Sequence, residues 1–248
     1  MNLVIDIGNT QTKVAFFNEE NLVALKIFDQ KINNSSLKQF RVKYQKINSA
    51  ILCSVKKDSS EIRNFLAQNF YFIEVNEHTK IPLKNLYKTP KTLGNDRLAN
   101  AIGANHLFPD KNLLVIDMGT CIKYDFVNSE NEYLGGAISP GIDMRFKALN
   151  QFTAKLPLIK KSKMKTLIGQ STRESILSGV QNGIIAEISN ITHQYKNQYQ
   201  NVKIILTGGD AQFIHSLISE KNCIFAAPNL TLIGLNAILN FNHVAPKK

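Results

Sequence analysis

Apolar positions in this chain fall into short alternating or continuous blocks separated by polar turns. Residues 2–8 and 12–17, with Val14, Phe16 and Phe17, read as a hairpin closed at Asn9-Thr10, and residues 22–28 as a third strand. A helix is expected from Ser35-Ser36 to Phe40. A second begins at Ser59-Ser60-Glu61 and carries Ile62, Phe65 and Leu66 on one face, with Ser59 or Ser60 as cap. Residues 50–54 and 71–75 read as strands. Pro82, Pro90 and Gly94 make 79–95 a long loop, followed by a helix over 96–106.

The pattern then restarts. Strands are expected at 113–117, 124–128 and 133–141, a helix at 142–152, and a basic irregular stretch at 155–169. The longest helix covers 172–199, with Ile176, Val180, Ile184, Ile188, Ile191 and Tyr195 at helical spacing. Gly179 and Gly183 weaken that helix, so a close backbone approach is expected there, from a second subunit for instance. A strand at 202–206, a helix at 213–218, a strand at 223–226 and a helix at 232–239 close the chain. The order is a duplicated mixed α/β unit with lobes 1–112 and 113–248 and a ligand cleft between them.

Duplication is visible in the residues themselves. Leu3-Val4-Ile5-Asp6-Ile7-Gly8-Asn9-Thr10 is matched by Leu114-Val115-Ile116-Asp117-Met118-Gly119-Thr120. Each is a buried-strand pattern ending in Asp-x-Gly and a hydroxyl-bearing turn. Glycine lets backbone approach a ligand, the turn offers N–H and hydroxyl donors to phosphate, and the carboxylate can hold a cation or its waters. Asn9, Thr10 and Lys13 can all face a phosphate, although one such turn alone could be a plain hairpin. A third element, Thr207-Gly208-Gly209-Asp210, follows a strand and could lay a flat ligand on open backbone. A fourth, Gly94-Asn95-Asp96-Arg97, starts a helix. Its carboxylate could act as a general base and its arginine could bind an anion; taken alone, Asp96 could equally cap the helix.

Composition narrows the classes. The chain has 248 residues, 44% apolar and 20% charged, which suits a soluble globular protein with a substantial core. No apolar run has the length of a membrane span, and the N-terminus lacks a signal-peptide layout. Cys53, Cys121 and Cys223 are scattered and odd in number, so no zinc site or disulfide framework is expected, and a reducing cytoplasm is the natural home. The net charge of +11 is spread over the chain, with small clusters at Lys56-Lys57, Lys160-Lys161-Ser162-Lys163 and Lys247-Lys248. Without interleaved aromatics this favours a solvated basic surface over a nucleic-acid partner, and it would concentrate anionic substrates. His78, His106, His193, His215 and His243 have no metal-ligand spacing and read as structural or surface residues.

Two Asp-x-Gly turns followed by Thr-Gly-Gly resemble the actin, Hsp70 and sugar-kinase superfamily, a ribonuclease H-like, actin-like ATPase fold. With Gly94-x-Asp96-Arg97 and Tyr133-Leu134-Gly135-Gly136-x-Ile138-x-Pro140-Gly141 added, in this order, the chain resembles type III pantothenate kinase over nearly its whole length. The resemblance implies transfer of the ATP γ-phosphoryl group to the primary hydroxyl of pantothenate, giving 4'-phosphopantothenate, in a homodimer. By that analogy Asp6, Ile7, Gly8, Asn9, Thr10, Gln11, Thr12 and Lys13 bind ATP, with Thr120, Gly208 and Gly209. Asp96 is the proton acceptor. Tyr87, Gly94, Asn95, Asp96, Arg97 and Thr172 meet the substrate, Thr172 at the dimer interface. Asp6 holds Mg2+ through water, and Asp117 binds a monovalent cation, K+ or NH4+.

The chain departs from the family pattern after Thr120. Many members have small or hydroxyl residues there; here Cys121-Ile122-Lys123 stand instead. Lys123 could point at phosphate or supply part of the cation's charge. Two other readings stay open at this level: another small-molecule kinase of the superfamily, and a non-catalytic nucleotide-binding transcription accessory factor.

Overall fold

The computed structural model describes residues 1–29, 32–55, 59–164, 166–217 and 224–243. Lys56-Lys57, Ile218, Cys223 and Lys247-Lys248 lie outside the described residues. The chain forms two compact units. The first comprises 1–109, 131–133 and, among the described residues, 229–243; the second comprises 110–130 and 134–228. Each is built on a mixed sheet flanked by helices.

In the first unit β1 (Asn2–Ile7) pairs antiparallel with β2 (Thr12–Asn18), and β2 with β3 (Asn21–Phe28). On its other side β1 runs parallel to β4 (Ser49–Ser54), and β4 to β5 (Tyr71–Glu74). The resulting order is β3-β2-β1-β4-β5. Covered on both faces, β1 shows an apolar run rather than alternation. Leu3, Ile5, Val14, Phe16 and Leu52 pack on Leu37 and Phe40 of α1 (Asn34–Lys43) and on Ile62 and Leu66 of α2 (Ser60–Asn69). Phe16 meets Phe40 edge-on at 5.4 Å between centroids and stacks on Tyr44 at 4.0 Å.

The loop expected over 79–95 contains a two-residue strand, β6 (Lys84–Asn85), and a 3-10 turn at Pro90–Thr92. Strand β6 runs parallel to Glu132–Tyr133, a pairing distant in sequence that no local pattern discloses. After the loop comes α3 (Asn95–Leu107), whose segment from Arg97 to Ala104 is buried throughout.

The second unit is ordered β11-β10-β7-β8-β9. Central β7 (Leu113–Met118) pairs antiparallel with β8 (Cys121–Val127), next to β9 (Glu132–Pro140). It runs parallel to β10 (Lys203–Thr207), which runs parallel to β11 (Ile224–Ala226). Tyr124 and Phe126 join Leu114, Ile116 and Leu206 in one core. Over it lie Phe146 of α4 (Ile142–Gln151), Ile176, Val180, Ile184 and Ile188 of α5 (Thr172–Gln198), and Ile214 of α6 (Ala211–His215). Ser171 caps α5: its hydroxyl accepts from the Glu174 N–H, while the Glu174 carboxylate accepts from the Gln170 N–H.

One polar cluster ties β8, β9 and α4 to α5. The Glu187 carboxylate accepts from Tyr124 Oη at 2.8 Å, from Ser139 Oγ at 2.7 Å and from Arg145. Burial works to raise the Glu187 pKa, but the hydrogen bonds from Arg145, Ser139 and Tyr124 and the arginine's charge outweigh it and hold the group below its ordinary range. Burial, then the bond to Glu187, pushes the Tyr124 phenol well up. Among the described residues, the expected close approach at Gly179 and Gly183 is not made. Nothing lies within 4 Å of a Cβ built at Gly179, and Gly183 meets only an Arg145 nitrogen at 4.0 Å.

The last helix departs most from the sequence expectation. It runs as α7 (Leu230–His243), longer than 232–239, and packs in the first unit rather than in a lobe over 113–248. Gly103 of α3 and Gly234 of α7 bring the two backbones together: a Cβ at Gly234 would overlap the Ala99 carbonyl, and one at Gly103 the Leu230 carbonyl. Asparagines at 236, 240 and 242 interrupt the apolar pattern but are all engaged. Asn2 Nδ2 donates to Asn236 Oδ1 at 2.8 Å and Asn240 Oδ1 at 2.7 Å. Asn236 Nδ2 donates to the Glu19 carbonyl at 2.8 Å, and Asn242 Nδ2 to that of Lys80 at 2.8 Å.

Gly234→Ala forces these two helices apart and lowers stability by about 2 kcal/mol or more, read from urea unfolding. Glu187→Gln costs about 2 kcal/mol at pH 7, because it leaves the Arg145 charge without its partner in a half-buried site. A carboxyl group depressed in the fold stabilises above its unfolded pKa and loses that effect as pH falls through the folded value. The gap between wild type and Glu187→Gln should therefore narrow on acidification below 4.5, the ordinary glutamate value.

Candidate active site

In the first unit the β1–β2 turn sets Asp6 directly opposite Lys13 and Ile7 opposite Thr12. The Gly8 N–H donates to the Gln11 carbonyl at 3.0 Å, which closes a loop whose Asn9, Thr10 and Gln11 are exposed. Gln11 Nε2 is held by Asp29 Oδ1 at 2.9 Å. The side chains of Ile7 and Thr12 are buried, so toward a ligand they can offer only backbone. The exposed donors of this turn are what a phosphate would meet.

The same unit assembles Tyr87 and the start of α3. Gly94 is the N-cap, in extended conformation, and Asp96 lies in the first helical turn. Asp96 is therefore not the cap residue. Its Oδ1 accepts from the Arg97 N–H at 2.9 Å, and its half-buried carboxylate sits where the helix dipole favours negative charge. A Cβ at Gly94 would come within 2.6 Å of that oxygen, so any side chain there would crowd the carboxylate. Arg97, 5% exposed, lays its guanidinium over the Tyr87 ring at 5.7 Å. Tyr87 lies against Tyr133, with ring centroids 6.2 Å apart, and its N–H donates to Asn85 Oδ1 at 3.0 Å. Asn95 Nδ2 donates to the Val75 carbonyl at 3.0 Å and anchors the helix start. Tyr87 and the Gly94–Arg97 turn thus stand together in the first unit. The support from Tyr133 and Asn85 comes from the distant β6–β9 pairing and carries no local sequence signal.

The second unit holds the other group. Asp117, at the end of β7, is opposite Lys123 of β8, and Lys123 Nζ is 2.7 Å from Asp117 Oδ2. Gly119 closes the turn by donating to the Cys121 carbonyl at 3.1 Å, leaving Thr120 exposed. Gly208, at φ +93°, follows β10; a Cβ there would lie 2.5 Å from Asp117 Oδ1 and 2.6 Å from the Met118 carbonyl oxygen. Gly209 has open space on its Cβ side. The Asp210 N–H donates to the Met118 carbonyl at 2.9 Å, and its carboxylate pairs with Lys161. Thr172 stands exposed at the first position of α5. Cys121 Sγ lies 3.8 Å from Met144 Sδ. Among the described residues, no group of three or more histidine, cysteine or carboxylate side chains could hold a metal ion.

Two mixed-sheet units, each with an Asp-x-Gly hairpin at its central strand, define an α/β fold of the actin-like sugar kinase and ATPase class. A provisionally assigned 2-dehydro-3-deoxygalactonokinase from Sinorhizobium meliloti superposes with a TM-score of 0.60 at 10% identity, covering 99% of this chain and 100% of that one. A provisionally assigned Baf family transcriptional activator from Campylobacter jejuni gives 0.60 at 22% identity, covering 97% and 98%. At such identities the likeness is one of fold. Sequence relatives go further. The family model for type III pantothenate kinase matches residues 2–194. The type III pantothenate kinase of Christiangramia forsetii is 44% identical over 242 residues, 98% of this chain and 99% of that protein. The chain belongs to the type III pantothenate kinase family.

Gly208→Ala places a methyl group against the Asp117 carboxylate in a backbone conformation that L-residues avoid. It should cost about 2–3 kcal/mol of stability in thermal unfolding.

Proposed function

We propose that Asp96 is the general base of the phosphoryl transfer and that Tyr87 and Arg97 position the acceptor beside it. As a member of its family the chain is a pantothenate kinase, an ATP-dependent phosphotransferase acting on an alcohol group in coenzyme A biosynthesis. The observation that carries the reading is the Gly94–Arg97 turn: a half-buried carboxylate in the first turn of α3, next to a buried guanidinium 5.7 Å from the Tyr87 ring centroid.

Phosphoryl transfer spreads charge over the moving group, so positioning and electrostatics dominate. Asn9, Thr10, Gln11 and the backbone of the 8–11 turn present donors to the ATP phosphates, with Lys13 adding charge. Asp6 would supply a carboxylate of the hard-oxygen type that suits Mg2+ or its waters. The bound ion would neutralise phosphate charge. Arg97 orients the acceptor through its anionic or polar groups, and Asp96 takes the hydroxyl proton as the new bond forms. Thr172 is the substrate contact expected from a second copy. The exposed face of α5, with Gly179 open, is the surface we assign to that homodimer. No helix among the described residues is long and apolar enough to cross a membrane. We place the enzyme in the cytoplasm, where its substrates are. The transcriptional reading rests on a name attached to a structure of the same fold and explains none of the three acidic positions.

In a coupled assay with ATP and pantothenate, Asp96→Asn should lower kcat roughly 10²–10⁴-fold with an unchanged unfolding midpoint. Turnover within a few-fold of wild type would remove Asp96 from this role.

A further inference from the structure

We propose that the Lys123 ammonium serves as the monovalent cation of Asp117, tethered in the protein, so that this kinase works without added K+ or NH4+. The inference rests on the reading of Asp117 as the residue that presents positive charge beside bound ATP.

Asp117 as it stands does not fit a free cation. Its side chain is 12% exposed and that of Lys123 15%, and Nζ lies 2.7 Å from Oδ2. The two residues are directly opposed across the β7–β8 pair, so both side chains leave the same face. The other carboxylate oxygen lies beside the Gly208 turn, where an added Cβ would come within 2.5 Å of it. An ion on Asp117 would have to displace the ammonium or sit against it as a like charge. Lys123 carries the single positive charge of K+ or NH4+ and needs no recruitment from solution. The Asp-x-Gly-Thr turn at 117–120 is thereby neutralised from within.

The test compares wild type, Lys123→Ala and Lys123→Met in tetramethylammonium, sodium, potassium and ammonium chloride at equal ionic strength. Two readouts are used: pantothenate phosphorylation and unfolding midpoint. Wild-type kcat/KM should vary by less than about 2-fold across the salts, and its midpoint should not respond to K+ beyond Na+. Lys123→Ala should lose roughly 10-fold or more in sodium and recover most of it in potassium or ammonium, with a midpoint that rises in potassium. Lys123→Met, which fills the space without charge, should be weak in every salt. A wild-type enzyme that falls roughly 10-fold without K+ or NH4+ overturns the proposal, as does a folded Lys123→Ala variant indifferent to the cation. If Lys123→Ala does not fold, the wild-type salt series decides. Absence of pantothenate phosphorylation by wild type in all four salts would instead refute the kinase reading, and the midpoints would still judge the cation site.

Discussion

Burial of a central strand on both faces is the constraint on which the rest of each unit depends. Every residue of β7 is buried, including Asp117, and β1 is nearly as enclosed. Such a strand cannot slide by one residue without turning its whole apolar set the wrong way. The group at its C-terminal end is therefore placed to within the tolerance of core packing. Loops of modest length then suffice to present Asp6 and Asp117 at fixed points. The charged end of β7 is a cost that the core tolerates because a partner stands opposite: Lys123, across the β7–β8 hairpin.

Much of this was legible in the residues. The apolar runs before each Asp-x-Gly are strong signals because buried central strands leave no polar alternation to confuse them with loops. The long α5 announces itself through six apolar positions at helical spacing. The Gly94–Arg97 turn was legible as a helix start, and the structure separates its parts: Arg97 lies buried beside Tyr87 while Asn95 donates to the Val75 carbonyl. What could not be read was non-local. Strand β6 exists because Glu132 and Tyr133 lie beside it, and Tyr87 owes its place to that pairing. The full extent of α7 was hidden by asparagines, which lower apparent helical amphipathicity yet are satisfied by partners more than 200 residues away. Gly179 and Gly183 suggested a tight contact that this chain alone does not make.

The two units solve the problem of polar groups in a core differently. In the first, α7 distributes neutral amides over several backbone and side-chain partners. The second concentrates charge, with Glu187 gathering a phenol, a hydroxyl and a guanidinium at the centre of four elements. Neutral networks of this kind tolerate a wide pH range, whereas the charged one ties the packing of α5 to the ionisation of a single carboxylate.

The engagement of α7 with Asn2 and α3 bears on how the chain acquires its shape during synthesis. The first unit is discontinuous in sequence, with the whole of the second inserted between its parts. Its opening residues emerge from the ribosome long before the helix that covers them. Until that helix arrives, Ala99, Gly103 and the α7-facing side of β1 lack their cover. The inserted unit, continuous apart from three residues, can form before α7 is made, and the strands that precede it are sealed only afterwards.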